Sequence, residues 1–578
     1  MGKLLYIFLL LILVSVGSEA QIVDDVFSER TRGEPSLSWG AYEKKGRKLY
    51  GKEVVHENEK YVYVIEKENK SINLLFFQIA KEPGLILSVY NCGELSKVNL
   101  SKLSFPKQGA VKYEYSFLKL IEIEKKLFVF VKGLNTKTDA VKLLAQEITV
   151  TGVQQGEIFE IDQGIASRSS GLFKKTKLTN FSVRLSPDQR RIGIVRFNAT
   201  QESDLLKVGY KLLDANLKAE WSGSVVLPFE NQYLNLSAYE IGTRGELFLL
   251  GKAWKLKRKV GLTGNSKTKV SKQGKGIPNY TYKCLIFSTE NKTLKQVDLA
   301  MKGSYVTDVA MSYQLDKNQL YLAGFYSEQW GGSIRGSFTK LIDVEKATVM
   351  RSTQKKFNEQ FLELFLSGRK IKRLKEGKVG DYELANCRLD NFTVKSDGSS
   401  VLFAEMYFVQ VNTSSVADVN GFMTTRTNYT YHYGDIIAVY LDDFGEVKWT
   451  AKVPKHQISY NDGGPFSSYL INVEEDKLYM IFNDHPSNVQ RLREGKDVRK
   501  MGNPKKSTSV VISIDNQGVM DRKQLFSKVE SEVIFRPKSS WYQRDVLESH
   551  KIYLFGLNYQ LFSRPKFKLG VLNFPASN

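Results

Sequence analysis

The sequence predicts an all-β protein, a single β-propeller of four-stranded blades with eight blades favoured. Three observations support this: a short apolar strand that recurs along the chain, a polar turn that recurs after it, and the aromatic content. Aromatic residues make up 12% of the 578 residues, and such residues favour strands. With 42% hydrophobic and 25% charged residues, the composition is that of a globular protein and excludes a largely disordered chain.

The recurring strand is a short, nearly continuous apolar run, as is typical of strands buried on both faces. Its copies are Tyr61–Ile65, Leu127–Val131, Ile192–Phe197, Leu247–Gly251, Leu320–Gly324, Val401–Met406, Leu478–Phe482 and Ile552–Gly556. Most copies follow a polar turn, and each is followed by another strand, a tight turn and a weaker strand. Repeated four-stranded units of this kind are typical of a β-propeller. A β-sandwich is the alternative fold, and seven blades are the alternative number.

The tight turn has Asp followed three residues later by Gly, as in Asp442 to Gly445 and Asp515 to Gly518. Asp can cap its own backbone, and Gly tolerates a positive φ. Leu217 occupies the Gly place after Asp214, and Lys346 is expected there in the unit that begins at Asp343.

The two ends of the chain are expected to share one blade. The last unit ends soon after the strand Phe567–Phe574 and lacks an outer strand, whereas Gly46–Val55 has strand character and no unit of its own. We predict that the N-terminal segment completes the last blade, because this removes the open edges of the ring.

Residues 1–20 have the pattern of a signal peptide: Lys3, then the apolar run Leu4–Val16, then small residues before Gln21. This predicts export to the periplasm or beyond, with residues 21–578 as the mature propeller. A membrane anchor is the alternative, but the run is shorter than the roughly 20 residues that span a bilayer. No second long apolar run follows, so no transmembrane segment is expected after cleavage. Cys92, Cys284 and Cys387 are expected to be small buried residues rather than a disulfide framework.

The segment Gly445 to Trp449 resembles the Gly-x-x-x-Trp ending of the tryptophan-docking repeats in quinoprotein-like propellers. Phe444 stands where those repeats have Thr, and Leu217 replaces the Gly before Trp221. The chain as a whole resembles the superfamily of bacterial secreted β-propellers in its repeat architecture. The resemblance implies a blade shape and does not imply a quinone cofactor.

Long insertions interrupt the repeat at 254–281, 351–381, 409–433 and 483–507. In a four-stranded blade the loop between strands two and three emerges on the same face as the connection to the next blade. All four insertions should therefore decorate one face, and long loops on a rigid scaffold commonly carry binding function.

Three of these insertions are rich in Lys and Arg, in a chain whose net charge is +22. They predict a face that binds anions; the alternative is an ordinary solvated surface. The candidate binding residues are Lys255, Lys257, Arg258, Lys259, Arg369, Lys370, Lys372, Arg373, Arg491, Arg493, Arg499 and Lys500. The stretch 357–377 is predicted to form one short amphipathic helix with a basic C-terminal half.

The sequence shows no motif for a metal, a nucleotide or a nucleophile. The five His have no paired ligand spacing, and Walker, dinucleotide-binding and Gly-x-Ser-x-Gly motifs are absent. We therefore expect no metal and no cofactor, and export argues against nucleic acid as a partner.

The function predicted first is an exported, non-catalytic scaffold whose basic face binds an anionic polysaccharide or an envelope surface. The alternatives are a polysaccharide hydrolase or lyase that uses carboxylates of the central channel, and a structural subunit of an envelope assembly. The sequence leaves the catalytic residues and the oligomeric state open.

Overall fold

A computed structural model describes most of the chain beyond the predicted signal peptide. The described residues are 34–44, 49–74, 77–105, 113–135, 137–165, 167–168, 176–177, 179–198, 205–231, 233–254, 280–329, 333–376, 382–417, 423–540, 550–558 and 566–575. The predicted signal peptide, residues 1–20, lies outside them.

Within these ranges the chain forms eight antiparallel sheets of four or more strands, which we number as blades 1 to 8. Blade 1 consists of Leu49–Glu57, Tyr61–Leu74, Phe77–Asn91 and Lys97–Leu103, and blade 2 consists of Tyr113–Ile123, Lys126–Asn135, Ala140–Ile148 and Gln154–Ile165. Blade 3 consists of Asn180–Leu185, Ile192–Phe197, Leu205–Leu213 and Ala219–Glu230, and blade 4 consists of Leu234–Ile241, Leu247–Trp254, Tyr280–Ser288 and Thr293–Asp298. Blade 5 consists of Tyr305–Gln314, Gln319–Ser327, Gly336–Asp343 and Thr348–Lys356. Blade 6 consists of Cys387–Val394, Ser400–Ala417, Met423–Leu441 and Val447–Val453. Blade 7 consists of Leu470–Val473, Lys477–Asp484, Thr508–Asp515 and Met520–Ser527. Blade 8 consists of Ile534–Phe535, Lys551–Asn558 and Lys566–Asn573, together with Ser36–Trp39 and Glu43–Lys44 from the N-terminal part.

Short elements lie between or beside the blades. The α-helices are Glu359–Glu363, Gly368–Lys375, Asn488–Arg493 and Lys528–Ser531, and the 3₁₀ turns are Pro504–Lys506 and Pro537–Ser539. Gln457–Tyr460 adds to the third strand of blade 6, and Ser167–Arg168 pairs with Thr176–Lys177 between blades 2 and 3. No helix of the described part is long and apolar enough to cross a membrane.

The eight apolar runs identified in the sequence are the second strands of the eight blades, which confirms the predicted repeat and the count of eight. These strands are buried on both faces because a neighbouring blade packs on each side. Val129, Leu322 and Ile481 are examples that are fully buried.

The blades pack in a closed cycle. Seven apolar clusters each join one blade to the next in chain order, from blades 1 and 2 to blades 7 and 8. An eighth cluster joins blade 8 to blade 1, with Tyr553 and Val571 packed against Val62 and Val64. The propeller is therefore closed by packing as well as by strand pairing.

The strand that completes blade 8 comes from the N-terminal part, as predicted, but it is not the predicted segment. Ser36–Trp39 and Glu43–Lys44 pair with Lys566–Asn573. Most of Gly46–Val55 instead falls in Leu49–Glu57, the first strand of blade 1, which pairs with Tyr61–Leu74. Two segments of the N-terminal part have strand character, and only the packing of Leu37 and Trp39 against blades 7 and 8 decides which one closes the ring.

The tight turns between third and fourth strands are confirmed. Gly445 and Gly518 have φ of 80° and 84°, and Leu217 has φ of 62° in the Gly place. In blade 5 the left-handed residue is Ala347, with φ of 53°, one residue after the expected Lys346. Left-handed backbone is tolerated best by Gly, so the Gly positions mark the most regular turns.

Trp449 joins blade 6 to the tight turn of blade 7. Its indole stacks on Tyr440 with ring centroids 5.2 Å apart, and its Nε1 donates to the carbonyl of Asn516 at 3.0 Å. The ring also lies over Gly518, where a Cβ atom would come within 3.1 Å of it. In this blade a tryptophan therefore docks against the neighbouring turn.

The three cysteines are free thiols, and only Cys284 is fully buried. Cys92 and Cys387 are half-buried, so the prediction that all three are buried was wrong for these two. Both lie near blade ends, Cys92 in the turn after a third strand and Cys387 at the start of a first strand, where neighbouring blades cover side chains less completely.

Candidate functional site

We call the face that carries the connections between second and third strands, and between successive blades, the insertion face. The opposite face, which carries the short turns, is the turn face. Antiparallel order of the four strands places both kinds of long connection at the same end of every blade. The described part of the long connections follows this rule: residues 357–376 and 382–386 lie between blades 5 and 6, and residues 485–507 lie between the second and third strands of blade 7.

The basic segments of these two connections present cations to solvent. The exposed side chains are those of Arg369, Lys370, Lys372, Arg493, Arg499 and Lys500. Arg491 is half-buried and its Nε donates to the carbonyl of Asp497 at 2.8 Å. Arg373 lies in the helix Gly368–Lys375, and the structure describes its backbone only. Four candidates fall outside the described residues: Lys255, Lys257, Arg258 and Lys259.

The stretch 357–377 forms two helices rather than the single helix that we predicted. Glu359–Glu363 buries Phe361 and Leu362 against blades 5 and 6. The chain then breaks at Ser367 and starts the basic helix Gly368–Lys375. Ser and Gly are poor residues in a helix interior, which accounts for the break at Ser367 and Gly368.

A polar cluster lies at the insertion-face end of blade 6, where first strands line the centre of the ring; we call it the channel-mouth site. Arg388 and Asp390 come from the first strand of blade 6, and Arg388 Nε lies 2.7 Å from Asp390 Oδ1. The pairing of this strand shifts register between Leu389 and Asn391. Asp390 is thus the extra residue of a β-bulge, and such bulges commonly re-aim a side chain.

Glu405 anchors the site from below. Its Oε1 accepts from Lys455 Nζ at 2.6 Å and its Oε2 accepts from Ser468 Oγ at 3.0 Å. The NH2 atom of Arg388 lies 3.7 Å from the same Oε2. Glu405 and Lys455 are both fully buried, so this pair fixes the floor of the site.

Two tyrosines form its wall. The rings of Tyr407 and Tyr433 lie 5.0 Å apart, and the Arg388 guanidinium lies 4.6 Å from the Tyr407 ring. Lys538 of blade 8 donates through Nζ to the Tyr433 hydroxyl at 2.7 Å and to the Gly463 carbonyl at 2.7 Å. Arg388 is 48% exposed and Lys538 is exposed, so two cations border the paired rings and remain accessible.

Burial perturbs the titration of this site. Desolvation raises the pKa of Asp390 from 3.8 to about 6, although Arg388 acts in the opposite direction. Desolvation also lowers the pKa of Lys538, and nearby Arg388 adds to the lowering, while Glu405 opposes it. Perturbed groups that converge in one place are typical of functional sites.

The sequence analysis did not identify any residue of the channel-mouth site as a candidate. Its charged members come from segments as far apart as Arg388 and Lys538, and no spacing links them. One local signal was available. Arg388 and Asp390 are two residues apart in a strand that also contains apolar residues, and regular strand alternation would predict both charges on one face.

Two further features of the described part, a cavity and the distribution of metal-binding side chains, give weaker indications of a site. A cavity of about 420 Å³ between blades 2 and 3 is lined by Asp162, Arg196 and Lys211 among others. Asp162 Oδ1 lies 2.5 Å from Arg196 NH1 and 3.4 Å from Lys211 Nζ, so its charges are already paired across the blades. No group of three or more His, Cys, Asp or Glu side chains among the described residues could hold a metal ion.

No protein-family model matches the chain, and no curated protein matches its sequence. Similar solved structures include the polysaccharide lyase Uly1, at 11% identity over 93% of this chain and 99% of that chain, with a TM-score of 0.36. The Dos1 propeller is 9% identical over 80% of this chain and 95% of that one, with a TM-score of 0.32. An oligogalacturonate lyase in complex with manganese is 8% identical over 82% and 99%, with a TM-score of 0.31. At these identities and TM-scores the likenesses say nothing about what this chain binds.

Proposed function

We propose that this chain is an exported scaffold that binds an anionic polysaccharide on its insertion face. The observation that carries the proposal is the set of exposed cations on two separate connections of that face, together with the accessible Arg388 and Lys538 at the channel-mouth site. A face with excess positive charge attracts a polyanion and raises its local concentration. The net charge of +22 extends the same attraction over the whole chain.

Retention on immobilised heparin or on an acidic polysaccharide, across a salt gradient, tests the proposal. The variant Arg493→Glu, Arg499→Glu, Lys500→Glu should elute at lower salt than the wild type, because each lost cation removes a screened contact with the polymer. The melting temperature should stay the same, since exposed charges contribute little to stability.

The matched control reverses three exposed cations of the turn face: Arg190→Glu, Lys218→Glu, Lys317→Glu. Both variants change the net charge equally. Earlier elution of the insertion-face variant alone supports a specific binding face. Equal elution of both variants would mean that retention reports net charge only and would contradict the proposal.

A second candidate function is cleavage of a polysaccharide at the channel-mouth site. One observation favours it: a carboxyl with a raised pKa, Asp390, and an amine with a lowered pKa, Lys538, lie in the same site. Groups that titrate nearer neutral pH are suited to general acid–base catalysis. Incubation with acidic polysaccharides, with new reducing ends and unsaturated products as readouts, tests it. Cleavage that is abolished by Asp390→Asn in a folded protein supports the enzyme, and the absence of products supports the scaffold.

A further inference from the structure

The second and third strands of blade 6 continue far beyond the blade as a two-stranded hairpin. Pairing runs from Tyr407 opposite Tyr433 to Ala417 opposite Met423. The paired residues 407–417 and 423–433 form what we call the hairpin arm, which at about 3.3 Å per residue extends roughly 35 Å from the insertion face. It starts at the two tyrosines of the channel-mouth site.

One face of the arm carries a row of tyrosines. Side chains alternate along a strand, so Tyr429, Tyr431 and Tyr433 share a face. They lie opposite Val411, Val409 and Tyr407 respectively. We call this the tyrosine face; it is continuous with the channel-mouth site through Tyr433 and Tyr407.

The outer part of the tyrosine face is open to solvent. Tyr429 and Val411 are each 42% exposed. The rings of Tyr429 and Tyr431 lie 6.4 Å apart with an angle of 25° between their planes, so the two rings are close to parallel. Thr413 and Thr427, with hydroxyls 3.4 Å apart, follow further out.

The row is held in place by a third strand. Gln457–Tyr460 pairs with Thr430–Tyr433, and Asn461 extends the contact to Tyr429. The Asn461 N–H donates to the Tyr429 carbonyl at 2.9 Å, and the Tyr429 N–H donates to Asn461 Oδ1 at 2.7 Å. A surface that is ordered before binding loses less entropy when it binds.

The arm differs in charge from the rest of the insertion face. Residues 407–417 contain no Lys, Arg, Asp or Glu, and residues 423–433 contain Arg426 alone. The tyrosine face therefore carries no formal charge of its own along these residues. Tyrosine offers an apolar ring and a polar tip, which fits a sugar ring that has an apolar C–H face and a hydroxyl edge.

We propose that the tyrosine face is a platform on which successive sugar rings of the bound polysaccharide stack as the chain leaves the channel-mouth site. This proposal rests on the proposed function. Arg388, Lys538 and the basic connections bind the acidic substituents of the polysaccharide, and Tyr429 and Tyr431 bind the faces of its sugar rings. The continuity of the platform with the channel-mouth site selects a polysaccharide over a second protein as its occupant.

The test compares Tyr429→Ala, Tyr431→Ala with the control Phe408→Ala, Tyr460→Ala, which alters the opposite face of the arm and of the strand Gln457–Tyr460 beside it. Phe408 pairs with His432, and Tyr460 pairs with Thr430; Phe408 and Tyr460 are 43% and 57% exposed. Binding of oligosaccharides from an acidic polysaccharide is measured by calorimetry at several salt concentrations. Loss of two stacking contacts should weaken binding by about tenfold and leave the salt dependence unchanged. The control should bind like the wild type, and Tyr429→Phe, Tyr431→Phe, which keeps both rings and loses only their hydroxyls, should lose less affinity than the Tyr→Ala variant.

Three results would overturn the platform. If the wild type binds and the Tyr→Ala variant binds as tightly, the platform is wrong and the proposed function stands. If the wild type binds no acidic polysaccharide, both fail. If the variant instead changes the molar mass in light scattering while binding is unaltered, the arm is an interface between copies of this chain.

Discussion

The Nζ atom of Lys455 lies 2.6 Å from Oε1 of Glu405, and both side chains are completely buried. The pair joins the second strand of blade 6 to the connection that leads to blade 7. Gln457 Oε1 lies 3.4 Å from the same Nζ, and the Ser468 hydroxyl donates a hydrogen bond to the second carboxylate oxygen of Glu405. The channel-mouth site therefore stands on a fully buried ion pair that is supported by Gln457, by Ser468 and by the Arg388 guanidinium, which lies 3.7 Å from the second carboxylate oxygen of Glu405.

Removal of one partner of this pair should be strongly destabilising. Lys455→Ala leaves the buried Glu405 carboxylate without its nearest cation, and such a change costs about 3–5 kcal/mol. Urea denaturation measures the free energy of unfolding. Lys496→Ala, at an exposed ion pair with Glu494, is the control and should change it by less than about 1 kcal/mol. Similar small effects at both positions would contradict the anchoring role.

The N-terminal strand should contribute to stability through the residues that pair with blade 8. Leu37 is 5% exposed and belongs to the cluster between blades 7 and 8. Leu37→Ala should lower the free energy of unfolding by about 2–5 kcal/mol. Leu100→Ala, in an outer strand where the side chain is 50% exposed, should have a much smaller effect. If both variants unfold at the same urea concentration, the ring does not depend on this strand.

The tight turn of blade 7 should be sensitive to substitution for two reasons. Gly518 has φ of 84°, and a Cβ atom there would lie 3.1 Å from the Trp449 ring. Gly518→Val should therefore cost more than the ~1 kcal/mol typical of left-handed backbone strain. Gly463 has φ of 72° with no atom within 4 Å of a Cβ, so Gly463→Val isolates the backbone contribution. Thermal unfolding that ranks Gly463→Val as the more damaging variant would contradict the docking of Trp449.

Asp390 should make stability depend on pH. Its pKa is raised from 3.8 to about 6 by burial, so the folded state holds the proton more tightly than the unfolded state. Stability should therefore decrease as pH rises from about 4 to about 6 and stay lower above that. Asp390→Asn removes this loss, which amounts to at most about 3 kcal/mol. The variant should gain stability over the wild type near neutral pH and not at about pH 4; an equal difference at both pH values would show that Asp390 is not desolvated.

The repeat could be predicted from the sequence because its signals are local. A second strand that is buried on both faces has to be apolar throughout, and a left-handed turn favours Gly, so Leu320–Gly324 and Gly445 each mark their own structure. The number of blades and the order of strands follow from counting these signals. The placement of long connections on one face follows from antiparallel order alone.

The tertiary structure alone decided which segment closes the ring and which side chains meet at the channel mouth. Ser36–Trp39 and Gly46–Val55 both have strand character, and only the packing of Leu37 beside blade 7 distinguishes them. Glu405 and Lys455 are 50 residues apart, and Lys538 reaches Tyr433 across 105 residues. The sequence determined the blades because each blade is built from neighbouring residues. The site was decided by the ring because closure brings the ends of distant strands to one place.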